Sequence, residues 1–128
     1  MRASPRTSVM MALVVLLPLP AGARQLCGRE VLPFEDMVAT LEAELGVEVA
    51  RKTPTYVEVS DPKRLMLWSL WKARGAQPSA YICRKIVQED GQVKIEMFAE
   101  CHGQTAQCDG VVGRLLAEQN RRTAPFRP

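Results

Sequence analysis

Residues 60–75, SDPKRLMLWSLWKARG, carry the topology of this chain. Ser60 or Asp61 followed by Pro62 reads as a helix N-terminus, and Gly75 is a common helix stop. Wound as a helix, Met66, Leu67, Leu70, Trp71 and Ala73 form a broad apolar stripe, while Leu65 and Trp68 fall on the opposite side. Such a helix is either buried on two sides or presents Leu65 and Trp68 to solvent beside Lys63, Arg64, Lys72 and Arg74. Aromatic anchors next to basic residues are common at protein interfaces.

Upstream, VEVARKTPTYVEVSD (residues 47–61) holds two short alternating runs, 47–51 and 56–59, broken by Lys52-Thr53-Pro54 as a turn breaks them. Before them, LPFEDMVATLEAELG (residues 32–46) places Pro33 at a first helical turn and Gly46 just past the end. Phe34, Met37, Val38, Leu41 and Leu45 share one helical face, and Glu35, Asp36, Glu42 and Glu44 make the outer face acidic. An acidic helix beside a basic one predicts ion pairs between them, each contributing about 0 to 1 kcal/mol. With a strand in CGREVL (residues 27–32), the order is β-α-β-β-α-β-β-α. That is a small disulfide-stabilised α+β domain containing a ferredoxin-like split β-α-β, two helices on an antiparallel sheet, with a C-terminal helix added.

Downstream, YICRKIVQEDGQVKIEMFAEC (residues 81–101) reads as two strands around an Asp90-Gly91 turn. A two-residue turn sets Glu89 opposite Gln92, Lys85 opposite Glu96 and Cys83 opposite Phe98. Alternation puts Ile82, Ile86, Val93, Ile95, Met97 and Ala99 on one side, taken as the core side, and Cys83, Lys85, Val87, Lys94, Glu96 and Phe98 on the other. Cys101 then lies opposite residue 80 and points away from Cys83, so these two cannot meet the geometry of a bridge. Two pairings remain. Cys27–Cys83 with Cys101–Cys108 is preferred over Cys27–Cys101 with Cys83–Cys108, because it closes CHGQTAQC locally and ties the N-terminal segment to the hairpin. Asp109 is placed to cap a last helix, with Val111, Val112, Leu115, Leu116 and Gln119 inward; residues 121–128 read as a basic, disordered tail.

Arg2 and Arg6, an apolar run over residues 9–19 and Ala21-Gly22-Ala23 have the layout of a secretory signal peptide cleaved after Ala23. The run is about a dozen residues against the about 20 a spanning helix needs, so no transmembrane span is expected in the mature chain. The net charge of +3 falls to +1 once Arg2 and Arg6 leave, too little for a nucleic-acid partner. The only asparagine, Asn120, precedes Arg121-Arg122, so no N-glycan is expected. RQLCGREV (residues 24–31) resembles the start of a relaxin-family B chain over Leu26 to Glu30. That family's second B-chain cysteine and paired A-chain cysteines have no counterpart here, so its fold is not carried over.

Cys101, His102 and Cys108 lack a fourth ligand at useful spacing, and neither a metal nor any other cofactor is expected. His102 is the only histidine, no orienting group accompanies it, and no phosphate-binding glycine loop occurs. The expectation is a secreted, extracellular protein, not an enzyme, that binds another protein as ligand or co-factor. Its candidate contact residues are Leu65, Trp68, Phe98, Lys85 and Glu96. The alternatives are an inhibitor or propeptide-like module acting on an extracellular hydrolase, and a peptide or prohormone precursor; the processing points expected in the chain are Ala23 and, for trimming of the tail, Arg121-Arg122.

Overall fold

A computed structural model describes residues 2–5, 11–15 and 24–123. Ala23 and residues 124–128 lie outside the described residues, as does most of the apolar run. The chain is α+β. A five-stranded antiparallel meander, β3 (Glu48–Lys52), β4 (Tyr56–Asp61), β5 (Met66–Trp71), β6 (Ser79–Glu89) and β7 (Gln92–His102), lies between two helices, α1 (Phe34–Glu42) and α2 (Thr105–Thr123). A separate small hairpin, β1 (Gln25–Leu26) and β2 (Arg29–Glu30), precedes α1. Every neighbour in the large sheet is a neighbour in sequence, so the ferredoxin-like split does not form.

The helix expected over residues 62–75 is the correction behind this difference. Its cap is present: Asp61 Oδ1 accepts from the Arg64 N–H at 3.3 Å. It serves only the single 3-10 turn Pro62–Arg64, which Leu65 ends in the left-handed region at φ 53°. Residues 66–71 then run as the central strand. Met66, Trp68 and Leu70 point to the α1 side with Val57, Val59, Tyr81 and Cys83, forming the main core with Phe34, Met37, Val38 and Leu41. Ser69 and Trp71 point the other way, where Trp71 lines a groove with Leu115 of α2. A strand covered on both faces loses its polar alternation and reads like a buried helix.

α1 buries Phe34, Met37, Val38 and Leu41 but stops at Glu42, so Leu45 falls beyond it and is 84% exposed. α2 begins at Thr105, four residues before Asp109, and packs Cys108 and Val111 on Ala80 and Cys101, with Val112 and Leu115 beside them. Cys27 is bonded to Cys83 and Cys101 to Cys108. The first bridge pins the small hairpin to the main core and the second pins the start of α2 to the end of β7.

Charge pairing joins the acidic helix to the basic stretch even though the latter is turn and strand. Lys72 reaches Glu35 at 3.1 Å, and Glu44 receives Arg64 at 3.2 Å and Arg29 at 2.6 Å. The Arg29 hydrogen bond, then its charge, holds the Glu44 carboxyl below its ordinary range.

Tyr81 lies at 0% exposure and donates its hydroxyl to the Leu32 carbonyl at 2.6 Å. Burial pushes its phenol up to about 12. A raised phenol binds its proton longer in the folded state than in the unfolded one. Its contribution to stability is therefore whole below the ordinary value of 10.0 and lost as the pH climbs through about 12. Burial raises Tyr56 as well. Absorbance titration should show less tyrosinate at pH 10 in the folded chain than in denaturant, with the Tyr81 part appearing only towards about 12; the same half-ionisation near 10 in both states would contradict the packing.

Candidate functional site

β6 and β7 are longer than the sheet that supports them. β5 pairs with β6 only from Met66↔Lys85 to Trp71↔Ala80, whereas β6 and β7 stay paired from Ser79↔His102 to Glu89↔Gln92. The distal part of the hairpin therefore projects as a two-stranded arm, joined to the sheet at its base by the Ile86 N–H donating to the Leu65 carbonyl at 2.9 Å. Asp90 (φ 51°) and Gly91 (φ 75°) make the turn, the left-handed pair of a type I′ hairpin.

Near the base both faces of the hairpin are buried: Tyr81 and Cys83 under α1, Ala80 and Cys101 under α2. The side expected to be the core therefore holds only part of it. Ile82 is buried, but Ile86, Val93 and Ile95 stand on the same side of the arm at 46%, 64% and 61% exposure, since the helices cover the base and leave the tip open. Leu65, bonded at the base, is 50% exposed.

The expected contact residues separate accordingly. Trp68 is removed from the surface: it is 0% exposed, its indole faces the main core opposite Cys83, and its Nε1 donor is buried without a partner among the described residues. Phe98, 43% exposed, and Lys85 and Glu96, register partners, share the other face of the hairpin. Phe98 and Lys85 line an open groove of about 380 Å³ with Leu26, Met97, Glu100 and Leu116. Ile86, Val93 and Ile95 join the site from the structure. The length mismatch between a six-residue β5 and an eleven-residue β6 would have exposed them, but it was hidden while residues 66–71 were read as helical.

A second groove of about 390 Å³ opens beside α2 and is lined by Arg51, Tyr56, Glu58, Trp71, Glu118 and Arg122. Polar side chains run beneath the helix: the Tyr56 hydroxyl bonds Glu58 at 2.8 Å, Arg84 donates to Ser69 at 3.0 Å, and Arg84 also donates to Gln119. Arg121 and Arg122 occupy the last turn of α2 rather than a tail, and Arg122 pairs with Glu118 at 2.7 Å. Among the described residues no group of three or more His, Cys, Asp or Glu side chains could hold a metal ion, and no helix is long and apolar enough to cross a membrane. Comparison with protein-family models, curated proteins and solved structures finds no match to this chain.

Proposed function

We propose that this is a small secreted protein that acts by binding an extracellular or cell-surface protein, as a ligand or co-factor, and that its contact surface is the projecting β6–β7 arm. The observation that carries this reading is the gathering of exposed apolar side chains, Leu65, Ile86, Val93, Ile95 and Phe98, on and beside one two-stranded projection. A ribbon of two strands is marginal alone in water, and apolar groups held there without cover are typical of interaction surfaces. Export is supported by two disulfides, which persist in oxidising compartments. It is further supported by the position of β1, the first strand among the described residues, which opens at Gln25, close after the expected cleavage point. Arg24 anchors that start by donating to the carbonyls of Cys101 at 3.0 Å and Gly103 at 2.8 Å.

The oxidised protein, fluorescently labelled, should bind responsive cells saturably and lose that binding when cell-surface protein is digested. Ile86→Asp combined with Phe98→Ser should weaken binding by about tenfold or more with an unchanged circular dichroism spectrum. Undiminished binding by the double variant rejects the arm as the contact surface.

A further inference from the structure

The two edges of the large sheet are built differently. β3 is exposed along its length, but it carries Glu48, Arg51 and Lys52 and a register break between Val49 and Arg51, devices that discourage another strand from adding there. β7 is paired to β6 without a break, and its outer residues Val93, Ile95 and Met97 are apolar. Glu89 and Gln92 flank the two-residue turn and exchange both hydrogen bonds, so every second pair beyond them does the same. Val93, Ile95, Met97, Ala99 and Cys101 consequently direct their N–H and C=O groups away from β6. Two contacts agree with that parity: Cys101 O accepts from Arg24, and Ile86 on the other strand donates towards β5. Arg24, also 3.9 Å from Glu100, occupies the edge at its basal end. Among the described residues, no strand pairs with the outer edge of residues 92–98, and Ile95 is their midpoint.

We propose that two copies of this chain pair through this edge, antiparallel about a two-fold axis at Ile95, joining their sheets into one. The charges select the register. With Ile95 opposite Ile95 of the second copy, Lys94 faces Glu96 of the second copy, Glu96 faces its Lys94, and Val93 faces its Met97. Shifting the axis to Lys94 or Glu96 sets like charges opposite each other, which destabilises a strand pair. Shifting it to Met97 drives the second strand into the segment Arg24 holds. In the Ile95 register one face gains an unbroken row of four isoleucines, Ile86 and Ile95 of each copy. On the other face Glu96, which has no ion pair among the described residues, comes to lie between Lys85 and the second copy's Lys94. Lys94 meanwhile exchanges an exposed contact with Glu89 at 3.3 Å for a cross-strand partner. The pairing lies in the plane of the sheet and leaves both faces of the arm open, so it goes beyond the proposed contact surface and does not depend on it.

Sedimentation equilibrium of the purified, oxidised protein should show a reversible monomer–dimer equilibrium across about 1 to 100 µM. Lys94→Glu alone and Glu96→Lys alone should each weaken dimerisation by about tenfold or more, since both symmetric charge pairs become repulsive together. The double variant Lys94→Glu/Glu96→Lys should restore it, and an equimolar mixture of the two single variants should form the heterodimer. Ile95→Pro removes an outward N–H without touching the β6 ladder, and should give a folded monomer. A chain that stays monomeric throughout the range, or a dimer indifferent to both charge reversals, overturns the pairing. Retained cell binding by the monomeric Lys94→Glu variant leaves the contact surface standing by itself; a dimer that binds no cells removes that surface and leaves the pairing intact.

Discussion

Replacing Cys27 and Cys83 together by alanine is expected to lower the unfolding free energy by about 4 kcal/mol, and replacing Cys101 and Cys108 by about 2.5 kcal/mol. The difference follows from the length of chain each bridge closes, with sequence separations of 56 and 7. Releasing the longer loop frees far more conformations in the unfolded state. For a domain whose total stability is about 5 to 15 kcal/mol, the first loss decides whether it stays folded at body temperature. The first bridge also does structural work that the second does not. Cys83 is fully buried opposite Trp68, and Cys27 brings Leu26 of the small hairpin onto the same core. Denaturant titration of the two double variants checks the order, and equal losses would show that chain entropy is not what separates the bridges.

Trp68→Ala is expected to cost about 3 to 5 kcal/mol, as a large buried side chain is removed from a core that can collapse only partly around the void. Trp68 lies at the centre of the main core, between Val59 on β4 and Cys83 on β6. Trp68→Phe is expected to cost no more than about 1.5 kcal/mol. It gives up part of the ring's volume, but it also deletes the Nε1 donor, which is buried without an acceptor among the described residues and is itself destabilising by about 1 to 3 kcal/mol. Thermal unfolding of both variants measures the contrast. A surface tryptophan would show neither effect, so a loss below about 1 kcal/mol for the alanine variant would move Trp68 back to the surface.

The hairpin register was legible because its causes are local. Asp90-Gly91 is a two-residue turn, the turn sets which residues face each other, and alternation does the rest. The exclusion of a Cys83–Cys101 bridge followed from the same parity, as did the opposition of Lys85 and Glu96. α1 was readable from one apolar face between Pro33 and Gly46, and α2 from the stripe that includes Val111 and Leu115. Residues 66–71 were not readable, because Met66, Trp68 and Leu70 face one helix while Trp71, on the opposite side, lines a groove with Leu115 of the other. No polar side chain marks a solvent face there except Ser69, itself buried. The genuine capping signal of Asp61-Pro62 then favoured the wrong period.

The arm was lost to the same cause. Ile86, Val93 and Ile95 have the composition of a core face, and alternation alone places them there. Burial depends on what lies above a residue, and cover is supplied by segments far away in the chain: α1, α2 and the neighbouring β5. Turn chemistry, strand parity and cysteine pairing are short-range properties, so the amino-acid order was enough for them. Which apolar residues are sheltered and which are presented is a long-range property. It was decided only when a strand of six residues was set beside a hairpin of eleven-residue strands and left the end of that hairpin uncovered.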